Sequence, residues 1–332
     1  GTTDVLTYGD LVTAGDMKFR VVPGWPGPNG LKFREVAGVA VDSQGLVYVF
    51  NRGENPVMVF QPDGTLVNEW GGGLITRAHN ITIGPDDLAY IVDVAEHVLY
   101  KTTLSGEVLM TIGDKGQPSD TGITTDYRTI THGGPPFNQP TKAALNADGD
   151  IFVSDGYGNA RVHRFAADGT LKLSWGGPGV GPGELNLSHA VAVAPDGHVY
   201  VCDRENSRIQ VFTQDGEHLD TWDEVSRPCD VFIGPDGLVY VAELGHKGGL
   251  GLAAPTDNPG IPSMSIWTVD HELVGKWGSD DIFEPGSFFS PHGIAIGPDG
   301  SLYVGEVTVS GDAGRGSFPE SYRSIQKFER VS

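Results

Sequence analysis

A chain of 332 residues with 39% hydrophobic content can bury a sizeable core, and a formal charge of −21 at pH 7 repels nucleic-acid phosphates. No apolar run is long enough to span a bilayer, and the opening GTTDVLTYGD does not read as a secretory leader. We therefore expect a soluble, monomeric protein, cytoplasmic or exported with its leader removed, without nucleic-acid or membrane partners. The 48 glycines and 22 prolines follow no fibrous period and read as turn residues, while Cys202 and Cys229 allow one disulfide but no disulfide scaffold.

Six similar units follow one another along the chain. Their cores read GVAVDSQGLVYVFNRG, HNITIGPDDLAYIVDVA, TKAALNADGDIFVSDGY, HAVAVAPDGHVYVCDRE, CDVFIGPDGLVYVAELG and HGIAIGPDGSLYVGEVT. Each is an alternating apolar run, a turn usually containing Asp-Gly, and a second run rich in Tyr and Val, which is the signal of a β-hairpin. A third strand follows, as in VMVFQPDG or RIQVFTQDG, and then a fourth, as in TLVNEWG or TLKLSWG. Four-stranded antiparallel units repeating every ~40 residues predict an all-β fold, a six-bladed β-propeller. We expect one domain over residues 1–332, with blades starting near 37, 79, 141, 189, 229 and 292. The sixth unit ends in RSIQKFERVS with room for three strands, so Met17 to Trp25 is expected to supply its outer strand and close the ring. Insertions fall at about Asp114 to Asn138, Gly245 to Ser263 and Thr308 to Tyr322, and long loops of this kind often form functional rims.

Equivalent positions around the ring carry the chemistry. Eight residues before each turn residue (Gly45, Asp87, Gly149, Gly197, Gly237, Gly300) stand Ala37, His79, Thr141, His189, Cys229 and His292. This slot begins the innermost strand, and alternate blades lie about 120° apart, so three imidazoles converge on the axis. Three neutral nitrogens with an open position form the ligand set of a catalytic zinc ion. Of the other histidines, His132 reads as a solvated loop residue, and His97, His163, His198, His218, His246 and His271 as structural. Six residues after the turn stand Asn51, Asp93, Asp155, Asp203, Glu243 and Glu306; acids repeated this regularly are expected to accept backbone N–H bonds. The next position brings Arg52 and Arg204, with Tyr157 one residue further on in the third unit. Arginine can fork onto a carboxylate or pair with an acid, and a phenol beside a cation can serve as a base.

These units resemble NHL repeats, and the chain from about Gly38 onward resembles the peptidyl-α-hydroxyglycine α-amidating lyase family. The resemblance is densest in FNRGE, VDVAEHVLYK, QPTKAAL, FVSDGYGNARVHRF, CDRENSRIQVF and SPHGIAI. It implies zinc held by His79, His189 and His292, Tyr157 as base, and Arg52 and Arg204 at the substrate. The activity implied is cleavage of a C-terminal α-hydroxyglycine carbinolamine to an amide and glyoxylate, on a peptide or a smaller N-acyl compound. The chain departs from the family at three places. Gly293 stands where the family has an aspartate for a structural calcium, which puts calcium in doubt, although the backbone of Val39 or Ile81 remains available. Ser290 replaces a methionine at the substrate, and Asn80 replaces a glycine. No counterpart of the family's copper monooxygenase domain is expected.

Two other functions remain open on the sequence. A metal-dependent hydrolase or hydratase on the same propeller would call for an Asp or Glu base beside the metal. A non-enzymatic NHL scaffold would call for a basic or apolar face. A calcium-dependent lactonase propeller fits less well, because its carboxylate and amide ligands are missing from the channel slot.

Overall fold

A computed structural model describes residues 11–245, 260–312 and 314–332. Its strands form five four-stranded antiparallel sheets and one five-stranded sheet. The innermost strands are Val36–Val41, Ala78–Ile83, Pro140–Leu145, Ser188–Val193, Pro228–Ile233 and Pro291–Ile296. Each packs against the innermost strand of the next blade, and the sixth packs against the first, so the ring is closed. This is the expected six-bladed β-propeller. The fourth strands are mostly exposed, but Trp70, Trp175, Trp222 and Trp277 at their ends turn inward. Trp70 shows how blades are joined there: its Nε1 donates to Leu104 O of the second blade at 3.1 Å. The hairpin turns need positive φ, which glycine adopts without strain; Gly197 takes φ 90°, and Asp87 alone of the six turn residues takes it without being glycine, at 53°.

The N-terminal segment closes the sixth blade, with two corrections to the expectation. The closing strand is Met17–Val22, not Met17 to Trp25, because Pro23 has no N–H to offer the ladder. Trp25 instead enters the core, 5.0 Å from the Tyr303 ring. A further strand, Leu11–Ala14, pairs outside Met17–Val22 and makes this sheet five-stranded. Phe19, fully buried, faces Trp277 of the fifth blade at 5.4 Å and so ties the closing strand to its neighbour.

One irregularity recurs in all six blades. Pairing between the first and second strands skips residues 37, 79, 141, 189, 229 and 292, the histidine slot. A residue left out of a ladder this way is a β-bulge, which re-aims its side chain and leaves its backbone groups unpaired. The acid opposite each bulge fixes the segment leading into it. Asp93 accepts from the N–H groups of Thr76 and Arg77, Asp203 from Asn186, Glu243 from Ser226, and Glu306 from Phe289 and Ser290. The repeated acids are therefore structural, as read. Asn51 differs and accepts from Gly53 within its own turn.

One residue beyond the bulge, Lys142 crosses the channel to Asp230. Lys142 Nζ lies 2.6 Å from Asp230 Oδ1 and 3.0 Å from Val231 O, while Asp230 Oδ2 accepts from Ile294 N–H at 2.9 Å. The pair joins blades three, five and six. It also bears on calcium: the ammonium shares a cavity with Val39 and Ile81, and the carboxylate beside it is already committed. Gly293 has no room for a side chain, since a Cβ there would lie 2.6 Å from Ala37 O.

Two stability changes follow. Phe19→Ala should lower unfolding free energy in urea by about 3–5 kcal/mol, and a loss near zero would show that this strand does not close the ring. Asp230→Ala should cost about 3–5 kcal/mol by leaving a buried ammonium unpaired, with most of that recovered when Lys142→Met is added.

Candidate functional site

His79, His189 and His292 meet at the axis. Their ring centroids lie 4.8 Å apart in all three pairs, and their ligand nitrogens lie within 4.8 Å of one another. Among the described residues this is the one grouping of side chains suited to hold a metal. Each Nδ1 bonds to the backbone oxygen of the bulged residue in the next blade: His79 to Thr141 O at 2.8 Å, His189 to Cys229 O at 2.6 Å, and His292 to Ala37 O at 2.6 Å. A carbonyl can only accept, so Nδ1 carries the proton and each neutral ring keeps its lone pair at Nε2. Burial first, and neighbouring cationic groups after it, lower the pKa of all three, that of His292 to about 3. His79 Nε2 is buried with no partner in the protein. An orphaned acceptor of this kind costs roughly 1–3 kcal/mol, which a bound ion would remove. The residues therefore fit a single divalent metal.

Above the histidines runs a second ring, built from the same repeat. In every blade the residue two before the bulge accepts, through its backbone oxygen, an N–H from the residue after the second strand. The bonds are Arg52 to Glu35, Val94 to Arg77, Tyr157 to Gln139, Arg204 to Leu187, Leu244 to Arg227 and Val307 to Ser290. In blade three the donor is Tyr157, one residue further on, and Gly156 before it has no room for a side chain, since a Cβ there would lie 2.1 Å from Ser188 O. Tyr157 OH lies 3.1 Å from His189 Nε2 and accepts from Arg204 Nη1 at 3.0 Å. Since His189 Nε2 is an acceptor, the phenol donates to it, to the same lone pair that a metal would use.

Four arginines, Arg52, Arg77, Arg204 and Arg227, line a cavity of about 610 Å³ over the histidines, and among the described residues no carboxylate lines it. The acids stand behind. Glu35 holds Arg52 at 2.7 Å, and Glu205 holds Arg204 at 2.7 Å and Arg227 at 2.9 Å. Burial alone would raise both carboxyls, but their arginines outweigh it and bring both below the ordinary range. Burial likewise opposes the Arg204 charge, and Tyr157 and Glu205 more than offset it. Arg52 and Arg204 thus sit at the cavity and are ion-paired as well, with acids outside the repeated acid slot.

Ser290 also lines the cavity, and its buried Oγ has no partner among the described residues. The third insertion contributes Ser310 and Gly311, while Tyr127 of the first lies close enough to Glu205 and Arg204 to feel their charge. Most of the second insertion, His246 included, lies outside the described residues. His97 holds the backbone, its Nδ1 accepting from Gln139 N–H at 2.9 Å, and it also lines the cavity. His132 is half-exposed and bonds to Thr131 Oγ1. His163 is structural, bonded to Asp155 at 2.8 Å. Cys202 and Cys229 are both free thiols, buried, with no disulfide between them. Sequence reasoning missed Glu35, Arg77, Gln139 and Arg227, all of which occupy the position two before the bulge.

The sequence pattern of the NHL repeat matches residues 137–165 and 186–212. The chain is 27% identical to peptidyl-glycine alpha-amidating monooxygenase A of Xenopus laevis over 91% of its own length and 34% of that protein. It is 27% identical to peptidyl-alpha-hydroxyglycine alpha-amidating lyase 1 of Drosophila melanogaster over 85% of its length and 57% of that protein. It is 31% identical to NHL repeat-containing protein 3 of Mus musculus over 69% of its length and 68% of that protein. The chain thus spans only part of the first two. Among solved structures, a streptogramin B lyase superposes with TM-score 0.56 at 15% identity, covering 90% of this chain and 94% of that one. A gluconolactonase of Xanthomonas campestris superposes with TM-score 0.61 at 12% identity, covering 96% and 91%. Both structural likenesses concern the fold alone. No helix among the described residues is long and apolar enough to cross a membrane. By repeat, fold and relatives, the chain belongs to the NHL-repeat six-bladed propellers, and over most of its length it is similar to peptidyl-α-hydroxyglycine α-amidating lyases.

Proposed function

We propose that this protein is a zinc-dependent lyase that cleaves the C–N bond of an α-hydroxyglycine-type carbinolamine to give an amide and glyoxylate. The observation that carries this is Tyr157, held between His189 Nε2 and the Arg204 guanidinium in a cavity that, among the described residues, is lined by arginines and by no carboxylate. A hydrolase would instead call for an acidic base beside the metal.

In this mechanism His79, His189 and His292 hold the metal through Nε2, and the bound ion supplies Lewis-acid stabilisation of negative charge on the substrate oxygen. Arg52 has its Nε and Nη1 committed to Ala78 O, Glu35 and Ser310, which fixes the guanidinium plane and leaves Nη2 to face the substrate carboxylate. Ser290 Oγ offers a further hydrogen bond. Tyr157, acting as the phenolate paired with Arg204, takes the carbinol O–H proton. The C–O bond becomes the carbonyl of glyoxylate, the C–N electron pair passes to nitrogen, and Tyr157 returns the proton to that nitrogen, so the amide leaves neutral.

Protein purified without chelator should carry about one divalent ion per chain by elemental analysis, and His79→Ala should carry almost none. An unchanged content in the variant would remove the histidines as ligands. With α-hydroxyhippurate as substrate, glyoxylate release should be measurable, and Tyr157→Phe should lower kcat by about 10²-fold or more while metal content stays the same. Full activity in Tyr157→Phe would eliminate the phenol as base.

A further inference from the structure

Of the four guanidiniums that line the cavity, one is not paired with an acid among the described residues. The four stand against two carboxylates, Glu35 and Glu205, and both carboxylates are already engaged. Arg52, Arg204 and Arg227 are each ion-paired. Arg77 has no acid partner among the described residues; its side chain donates from Nη2 to Ser310 Oγ at 3.1 Å. Arg77 is also the exposed member of the four, so it stands at the mouth of the cavity.

This guanidinium is set on a fixed mount. The Arg77 N–H donates to Asp93 Oδ1 at 3.1 Å, and its backbone oxygen accepts from Val94 at 3.2 Å. Ser310 is fixed as well: its N–H donates to Glu35 Oε2 at 2.7 Å and its hydroxyl to Glu35 Oε1 at 2.6 Å. The Ser310 hydroxyl can then accept from Arg77 and from Arg52 Nη1 at 2.9 Å, which orients both guanidiniums. The remaining Arg77 N–H groups are left to face solvent and ligand, and their geometry matches a carboxylate.

We propose that Arg77, braced by Ser310, is a second anion subsite, which binds a carboxylate carried on the acyl half of the substrate. The assignment to the acyl half rests on the lyase function proposed above; the subsite itself does not. The substrate class is then an N-acyl α-hydroxyglycine whose acyl group bears an acid, such as a dicarboxylic acyl group or a peptide ending in an acidic residue before the hydroxyglycine.

The test is calorimetric binding of two unreactive probes, N-benzoylglycine and N-(4-carboxybenzoyl)glycine, to zinc-loaded protein. Neither has the carbinol hydroxyl, so binding is read without turnover. The dicarboxylate should bind about tenfold more tightly, Arg77→Gln should abolish that advantage, and Arg77→Lys should restore part of it. Equal affinities in the unaltered protein would overturn the proposal. So would equal weakening of both probes in Arg77→Gln, which would assign Arg77 to the shared glycine carboxylate or to folding. An Arg77-dependent preference in a protein that releases no glyoxylate from α-hydroxyhippurate or its 4-carboxy analogue would keep the subsite and remove the lyase function.

Discussion

In each blade one residue of the innermost strand is left out of the pairing, and the ladder resumes one residue later. A regular strand would send that side chain to one face of its sheet, into the packing between blades. The bulge turns it toward the channel and leaves its carbonyl without a ladder partner. Both consequences are used. In blades two, four and six the re-aimed side chain is histidine; in blades three, five and one the unpaired carbonyl receives that histidine's Nδ1–H. The three-fold site is thus made from a six-fold irregularity, and the same bonds that orient the rings hold neighbouring blades together. Gly293 belongs to this constraint, since the approach of blade six to blade one leaves no space for a Cβ.

Electrostatics separates the site from the rest of the molecule. The chain carries −21 formal charges, whereas its main cavity is lined by four arginines. Buried guanidiniums so close together would repel one another, and Glu35 and Glu205 offset this from behind the cavity wall without entering it. The wall therefore presents donors and positive charge, which suits a substrate with developing oxyanion character. Deeper in the channel the Lys142–Asp230 pair places a fixed ammonium and its counter-charge across three blades.

Much of this was legible in the sequence because it repeats. Hairpins with Asp-Gly turns gave the blade count, and counting back from the turn isolated His79, His189 and His292 without any structure. The acids after the second strand were correctly taken as structural. What escaped was one register away. The position two before the bulge holds Glu35, Arg77, Gln139, Leu187, Arg227 and Ser290, and its occupants look unrelated as a column. Their common role lies in a backbone bond, which side-chain identity does not reveal. Ser310 and Glu205 lie outside the repeat slots, so only the fold shows that Ser310 reaches the cavity and that Glu205 stands behind its arginines. Ion pairs across the channel, such as Lys142 with Asp230, join residues 88 apart and follow no period.

In the proposed site, three bulged histidines present Nε2 to one ion beside Tyr157. Anomalous diffraction from crystals of zinc-loaded protein, recorded above and below the zinc edge, tests it most directly. The account predicts a single peak bonded to Nε2 of His79, His189 and His292, with Nδ1 still on the neighbouring carbonyls and no peak beside Lys142. A peak bonded through Nδ1, or placed away from this triad, would contradict it.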